Sequence, residues 1–361
     1  MKGEIDNDGR SGYNAPNAQR PTPNAQRPTP IHAQNQDETI HVVLCVYDPS
    51  GTYSQHAGVV MTSIFENTKS KVTVHILHDD TLTEDNRNKF IRTAEKYSQG
   101  LELHDVTERG KIFPPELIEQ VKHLTIGTLY RLFIHEVLDL DKVILLDCDT
   151  IVNLDIVELW NINMNGKTIA GVNLYPEIHI PFLWGYKLKL LGIDLKHYIN
   201  VGVLLMNLRR IRGHRDFLSK SMEHLLSHIE ILEIPDEVAF NVILRGDIEF
   251  IDKKFNMFML DKDLSGCIVH TFPSKPWKIL SGKPHEILYW DAYLKSAWGE
   301  NATMSEIMHK LVNVASQSEF FHVHGRQCLI RILLGIKRRV CDICSMATFL
   351  LKVLYHNLTR S

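Results

Sequence analysis

Very little net charge separates acids from bases in this 361-residue sequence: 40 Lys and Arg stand against 43 Asp and Glu, leaving −3 at pH 7. There is no global basic field to hold nucleic acid, and no nucleic-acid partner is expected. Cysteine is scarce as well. The six thiols (Cys45, Cys148, Cys267, Cys328, Cys341, Cys344) are scattered, no secretory signal precedes them, and a reduced, cytoplasmic setting is expected. Cys341 and Cys344 form a CxxC without a second CxxC or a zinc-finger His pair, so they read as two thiols on an apolar helix. Apolar runs long enough to span a bilayer are missing from the C-terminal stretch, about 324–361. Its mixture of "IKRR" and "MATFLLKVLYHNL" suits a helix lying on the inner face of a membrane, with Lys337, Arg338 and Arg339 drawn to anionic lipid. The competing reading is a C-terminal helix packed on the domain or on another subunit.

Asn, Pro, Gln, Gly and Arg fill residues 1–38, where "NAQRPTP" occurs in tandem at 17–23 and 24–30. That segment cannot bury enough apolar surface to offset its ordering entropy, and a disordered tail is expected. The chain as a whole is 44% hydrophobic, ample for a sizeable core. Order begins at "TIHVVLCVYDPS". Then "HAGVVMTSIFENT" has helical periodicity, "KVTVHILHDD" reads as a strand, "TEDNRNKFIRTAEKYS" as a helix and "LELHDVT" as a strand. This alternation predicts an α/β fold with a mostly parallel sheet flanked by helices. A single helix is expected around "TIGTLYRLFIHEVL". The domain is expected over 39–285, with a helical, basic and apolar extension over 286–361.

"VILLDCDTIVNLDIVELW", residues 143–160, starts as an apolar strand and then carries Asp147 and Asp149 around Cys148. On a strand, side chains two apart point the same way, so the two carboxylates converge while Cys148 faces away. Like charges that close repel unless something positive lies between them. A divalent cation, a phosphatase-type acid pair and a solvated turn or helix cap are the three readings left open by this stretch alone.

Further patterns follow in order: Tyr130-Arg131 before the acid pair, then "YINVGVLLMNL", "IPDEVAFN", and His270 with "KPW" at 275–277. Together they resemble glycosyltransferase family 8, retaining transferases that include bacterial lipopolysaccharide galactosyl- and glucosyltransferases and glycogenin. The resemblance covers about residues 40–285. It implies a Rossmann-like, nucleotide-sugar-binding type A glycosyltransferase fold and transfer of a hexose from a UDP-sugar to a glycan or lipid-linked acceptor. It also implies that Asp147, Asp149 and His270 hold a divalent ion, usually Mn2+ with Mg2+ as the other choice. Lys275 matches the lysine on the donor diphosphate. Val46, Tyr47 and Asp48 match the segment around uridine, with Asp48 set against the uracil edge and Tyr47 stacked on the base. Arg131, Asn200 and Gly202 match donor-side positions, and Cys148 is carried with them as part of the motif. Asp236 matches an acid that bonds donor-sugar hydroxyls.

Two departures stand out. Glu237 replaces the Gln that follows this acid in the family, offering a carboxylate as nucleophile, stabiliser or orienting group. "HTFPSKPW" lacks the usual Gly between His and Lys. Two rival functions remain: a sugar-nucleotide-binding or scaffold protein without turnover, and a phosphatase of the haloacid dehalogenase type, whose signature "LLDCDT" approaches. The latter signature normally opens its domain, whereas about 100 ordered residues come first here.

Overall fold

The structure, a computed structural model, describes residues 38–311 other than 123, 175–181, 215, 259–262, 273–274, 279–282, 301, 304–305 and 308. The tandem-repeat tail and the basic, apolar C-terminal stretch therefore lie outside the described residues. Among the described residues no helix is long and apolar enough to cross a membrane.

Seven strands form one sheet in the order β3-β2-β1-β4-β7-β6-β8. They are β1 (Ile40–Val46), β2 (Val72–His78), β3 (Gly100–Asp105), β4 (Lys142–Leu146), β6 (Ile169–Asn173), β7 (Ile199–Asn207) and β8 (Ile248–Ile251). The pairs β1–β2, β1–β4, β2–β3 and β6–β8 are parallel, while β7 runs antiparallel to both β4 and β6. The mostly parallel sheet read from the alternation is present. Val42, Leu44, Val74, Ile76 and Ile144 pack on one face, against α1 (Ser54–Asn67) and α2 (Glu84–Lys96). Val43, Leu77, Val143 and Leu145 pack on the other, with Leu129, Phe133 and the helix Pro235–Ile243. Burial on both faces is why the strands read as continuous apolar runs.

The antiparallel direction of β7 matters for function. It brings the start of that strand to the carboxyl end of β4, so Leu146 pairs with Val203 and Asp147 N donates to Gly202 O at 2.8 Å. A second small sheet, β5 (Thr150–Asn153), β10 (Cys267–His270) and β9 (Met257–Phe258), continues from the same point. There β10 runs antiparallel to β5 with His270 opposite Thr150. Residues 120 apart in the chain are joined beside the acid pair by that pairing.

Three local expectations are corrected. Asp147 and Asp149 do not ride on a strand: β4 ends at Leu146, β5 starts at Thr150, and Thr150 N donates to Asp147 O at 3.1 Å, closing a turn. The solvated-turn reading was right about the backbone and wrong about the solvent, since Asp149 is buried. The single helix expected at 125–138 is three short turns, Gly127–Tyr130, a 3-10 turn Arg131–Phe133, and Ile134–Val137. Tyr130 and Arg131 are both buried at this junction and each finds an acid: Tyr130 OH donates to Asp79 Oδ2 at 2.8 Å, and Arg131 pairs with Asp147 and Asp236. Finally, the boundary expected at 285/286 falls inside the helix Pro284–Lys295, whose Tyr289, Trp290 and Tyr293 share a core with Val59 of α1 and Ile151 of β5. Trp277 packs rather than projecting toward a ligand, stacked on His56 at 3.7 Å between ring centres.

Candidate active site

Asp147 and Asp149 each divide their oxygens between two tasks. Asp147 Oδ1 accepts from Arg131 Nη2 at 2.5 Å, and Asp149 Oδ2 is paired with Lys275. The other oxygens face one imidazole nitrogen: His270 Nε2 lies 3.8 Å from Asp147 Oδ2 and 3.3 Å from Asp149 Oδ1. One atom from each of the three residues falls within a 4.8 Å cluster.

The protonation of that nitrogen follows from a chain of hydrogen bonds with fixed polarity. Gly202 N–H, a backbone donor, gives its proton to Asn200 Oδ1 at 3.0 Å. Asn256 Nδ2 donates to the same oxygen at 2.7 Å, which leaves Asn256 Oδ1 to face His270 Nδ1 at 3.0 Å. His270 therefore carries its proton on Nδ1 and presents the lone pair of Nε2 to two carboxylates. A lone pair and two anionic oxygens converging in a buried site repel one another unless a cation lies among them. This donor set fits a divalent metal ion.

Gly202 makes the convergence possible. A β-carbon there would lie 2.4 Å from His270 Cε1 and 2.8 Å from Asp147 Oδ2, so any larger residue pushes the imidazole off its place.

Arg131 is buried, and its Nη1 contacts Asp236 Oδ2 at 3.1 Å while also donating to Val201 O. Burial opposes its charge, but Asp147 and Asp236 more than offset this and hold it protonated. Burial alone would lift Asp147; the Arg131 guanidinium instead keeps it below the usual carboxylate range. Asp236 moves the other way, raised chiefly by burial. Lys275 is lowered to about 8, mainly by burial.

Glu237 begins the same helix as Asp236 and is pushed up to about 8 by burial and by the charge of Asp147. Both its oxygens are engaged: Asn200 Nδ2 donates to Oε1 at 2.5 Å and Tyr198 OH donates to Oε2. Tyr198 was missed from the sequence although the signal was there, because Tyr198, Asn200 and Gly202 follow the period of two along one face of the strand. Asn256 carried no such signal: the β9–β10 pairing that brings it to His270 has no local mark.

The uridine segment separates into two parts. Asp48 is fully buried and accepts from Tyr53 N and Ser54 N at 2.8 Å, Ser54 Oγ at 2.7 Å and Asn86 Nδ2 at 3.2 Å. Its carboxylate is committed to the start of α1 and has nothing left for a uracil edge, which corrects that expectation. Asp48→Ala should lower folding stability by about 3 kcal/mol by orphaning these donors. Donor KM should stay near wild type, as checked by urea titration and steady-state kinetics. Tyr47 beside it is only half-buried and packs against Gly127, while the Val46 side chain is enclosed, leaving its backbone to meet a ligand. Cys148 also faces away from the acids: its buried thiol donates to Cys45 O at 3.3 Å.

With that geometry in hand, the relatives are informative. The profile of glycosyl transferase family 8 matches residues 44–279. A Haemophilus influenzae relative is 26% identical over 221 residues, 61% of this chain and 64% of that protein, so the chain spans just under two thirds of its length. A lipopolysaccharide 1,3-galactosyltransferase of Salmonella typhimurium is 23% identical over 304 residues, 79% of this chain and 88% of that one. In fold, the crystal structure of the galactosyltransferase LgtC with donor and acceptor sugar analogs superposes with a TM-score of 0.61 at 20% identity, over 75% of this chain and 100% of that one. The type A glycosyltransferase fold is thereby shared, the phosphatase reading falls away, and the chain belongs to glycosyl transferase family 8.

Proposed function

We propose that this protein is a metal-dependent retaining hexosyltransferase that moves glucose or galactose from a UDP-sugar to a glycan or lipid-linked acceptor, working at the cytoplasmic side of a membrane. The observation that carries the reading is the unprotonated Nε2 of His270 aimed between Asp147 and Asp149. Asp147, Asp149 and His270 would hold the divalent ion, which supplies positive charge beside the diphosphate oxygens as the sugar leaves. Lys275 adds a second positive charge at the same place. Arg131 keeps Asp147 ionised and turned toward its ligand position, and Asp236, paired with Arg131 Nη1 at 3.1 Å, would bond the donor-sugar hydroxyls. Tyr47 and the Val46 backbone line the base side.

In the transfer the bond from the anomeric carbon to the phosphate oxygen breaks, the acceptor oxygen bonds to that carbon on the same face, and the acceptor proton passes to the departing diphosphate. Glu237 is better suited to positioning than to attack. A nucleophilic carboxylate must be ionised and free, whereas Glu237 is pushed toward its neutral form and tied at both oxygens. LgtC has been solved with an active-site Gln changed to Glu; this chain carries Glu where the family motif has Gln. Glu237→Gln should therefore retain activity within about tenfold, because Gln keeps the bond from Asn200. A covalent role predicts a loss on the order of 10⁴ or more.

The same substitution has a pH signature in the metal-free protein. The Glu237 carboxyl rises from 4.5 to about 8 on folding. It costs nothing below 4.5, where it is neutral folded and unfolded, and it erodes stability progressively as pH climbs to about 8. Glu237→Gln should gain stability over wild type at pH 8 and little at pH 4, read by denaturant titration at both. The donor class is tested by offering UDP-, ADP- and GDP-hexoses and measuring nucleotide release; preference for ADP or GDP would overturn the uridine assignment.

A further inference from the structure

A second cluster of metal-type ligands lies on strands β2 and β3, two and three places along the sheet from β4. His75 Nδ1 and His104 Nε2 are 3.1 Å apart. Glu102 Oε2 lies 3.4 Å from the first and 3.5 Å from the second. The register explains the grouping: His75 pairs directly with Glu102 and Leu77 pairs with His104, so the three side chains share one face.

The three edges match those of a tetrahedral metal site. Ligand bonds of about 2.0–2.1 Å place neighbouring tetrahedral ligand atoms roughly 3.3 Å apart. A plain hydrogen-bonded pair would need only the His75–His104 edge; the carboxylate oxygen at nearly equal distance from both nitrogens completes a triangle. We propose that His75 Nδ1, His104 Nε2 and Glu102 Oε2 form a second site for a zinc-class divalent ion, distinct from the Asp147, Asp149 and His270 trio, with its fourth position open to water.

The surroundings support that assignment. To offer the lone pair of Nδ1, His75 must carry its proton on Nε2, and His41 Nδ1 stands 2.9 Å from that nitrogen to accept it. This is the outer hydrogen bond that ligating imidazoles usually have. His75 is almost wholly enclosed, whereas Glu102 is 57% exposed, so the site is anchored from inside and opens outward. Two imidazoles and one carboxylate suit zinc, cobalt or nickel, while the oxygen-richer active-site trio suits manganese. An ion here ties β3, the edge strand of the sheet, to β2.

The test uses the untagged full chain, stripped with chelator, and Zn2+ or Co2+ alone as probe. In an Asp149→Asn background, which weakens the active-site trio, equilibrium dialysis should find one zinc bound per chain, and cobalt should give the intense visible absorption of four-coordinate geometry. Adding His104→Ala should remove both signals, and adding His41→Ala should weaken binding about 10- to 100-fold. Should Asp149→Asn fold poorly, His104→Ala alone must lower zinc stoichiometry by one against wild type while manganese-dependent UDP release stays unchanged. Zinc stoichiometry indifferent to His104→Ala, or six-coordinate cobalt spectra throughout, would overturn the proposal.

Discussion

Asp149→Asn should reduce UDP release from the UDP-hexose donor by on the order of a thousandfold while melting stays near wild type. A neutral amide keeps the turn, because Thr271 N and Thr271 Oγ1 bond the Asp149 backbone carbonyl rather than its side chain, at 2.9 and 2.8 Å. What it loses is one charged oxygen facing His270 Nε2 and the partner of Lys275. Several kcal/mol of charge stabilisation at the leaving diphosphate go with the ion, and each 1.36 kcal/mol is about tenfold in rate. Steady-state UDP release across a manganese titration checks this, with thermal melting as the folding control. Activity within tenfold of wild type at every manganese concentration would remove Asp149 from the metal set.

Arg131→Met should act mainly on the fold, destabilising it by about 3–5 kcal/mol, because removing one member of a buried ion network leaves the others uncompensated. Asp147 Oδ1 and Asp236 Oδ2 would both lose the guanidinium that neutralises them. The Met stem fills similar space, so the loss is one of charge and not of volume. Denaturant titration should show the midpoint falling at neutral pH, with recovery as pH drops and Asp147 and Asp236 are protonated. A midpoint unchanged at neutral pH would show that Arg131 is not the counter-ion of these acids.

The mostly parallel α/β sheet and the convergence of Asp147, Asp149, His270 and Lys275 were legible because the first rests on long apolar runs and the second on motifs in independent segments that together resemble a known family. The reason offered for the acids meeting was wrong in detail: they meet across a turn, each with one oxygen held by a cation and the other left facing His270. Asp48 misled for a different cause. An acid just after a strand looks the same in sequence whether it meets a ligand or the first amides of the next helix, and only the donors at Tyr53, Ser54 and Asn86 separate the two. The helix Pro284–Lys295 was placed outside the domain because its aromatic residues lack a clean period; their partners lie on α1 and β5, more than a hundred residues away. Asn256, which sets the tautomer of His270, depends on a pairing of two-residue β9 with β10 that no local pattern announces.

The most direct measurement is UDP release from UDP-glucose and UDP-galactose by the chelator-stripped full chain, without metal, with Mn2+ restored, and with Mn2+ restored to His270→Ala. The account predicts release only in the second case, for at least one of the two donors. Equal release in all three would contradict it.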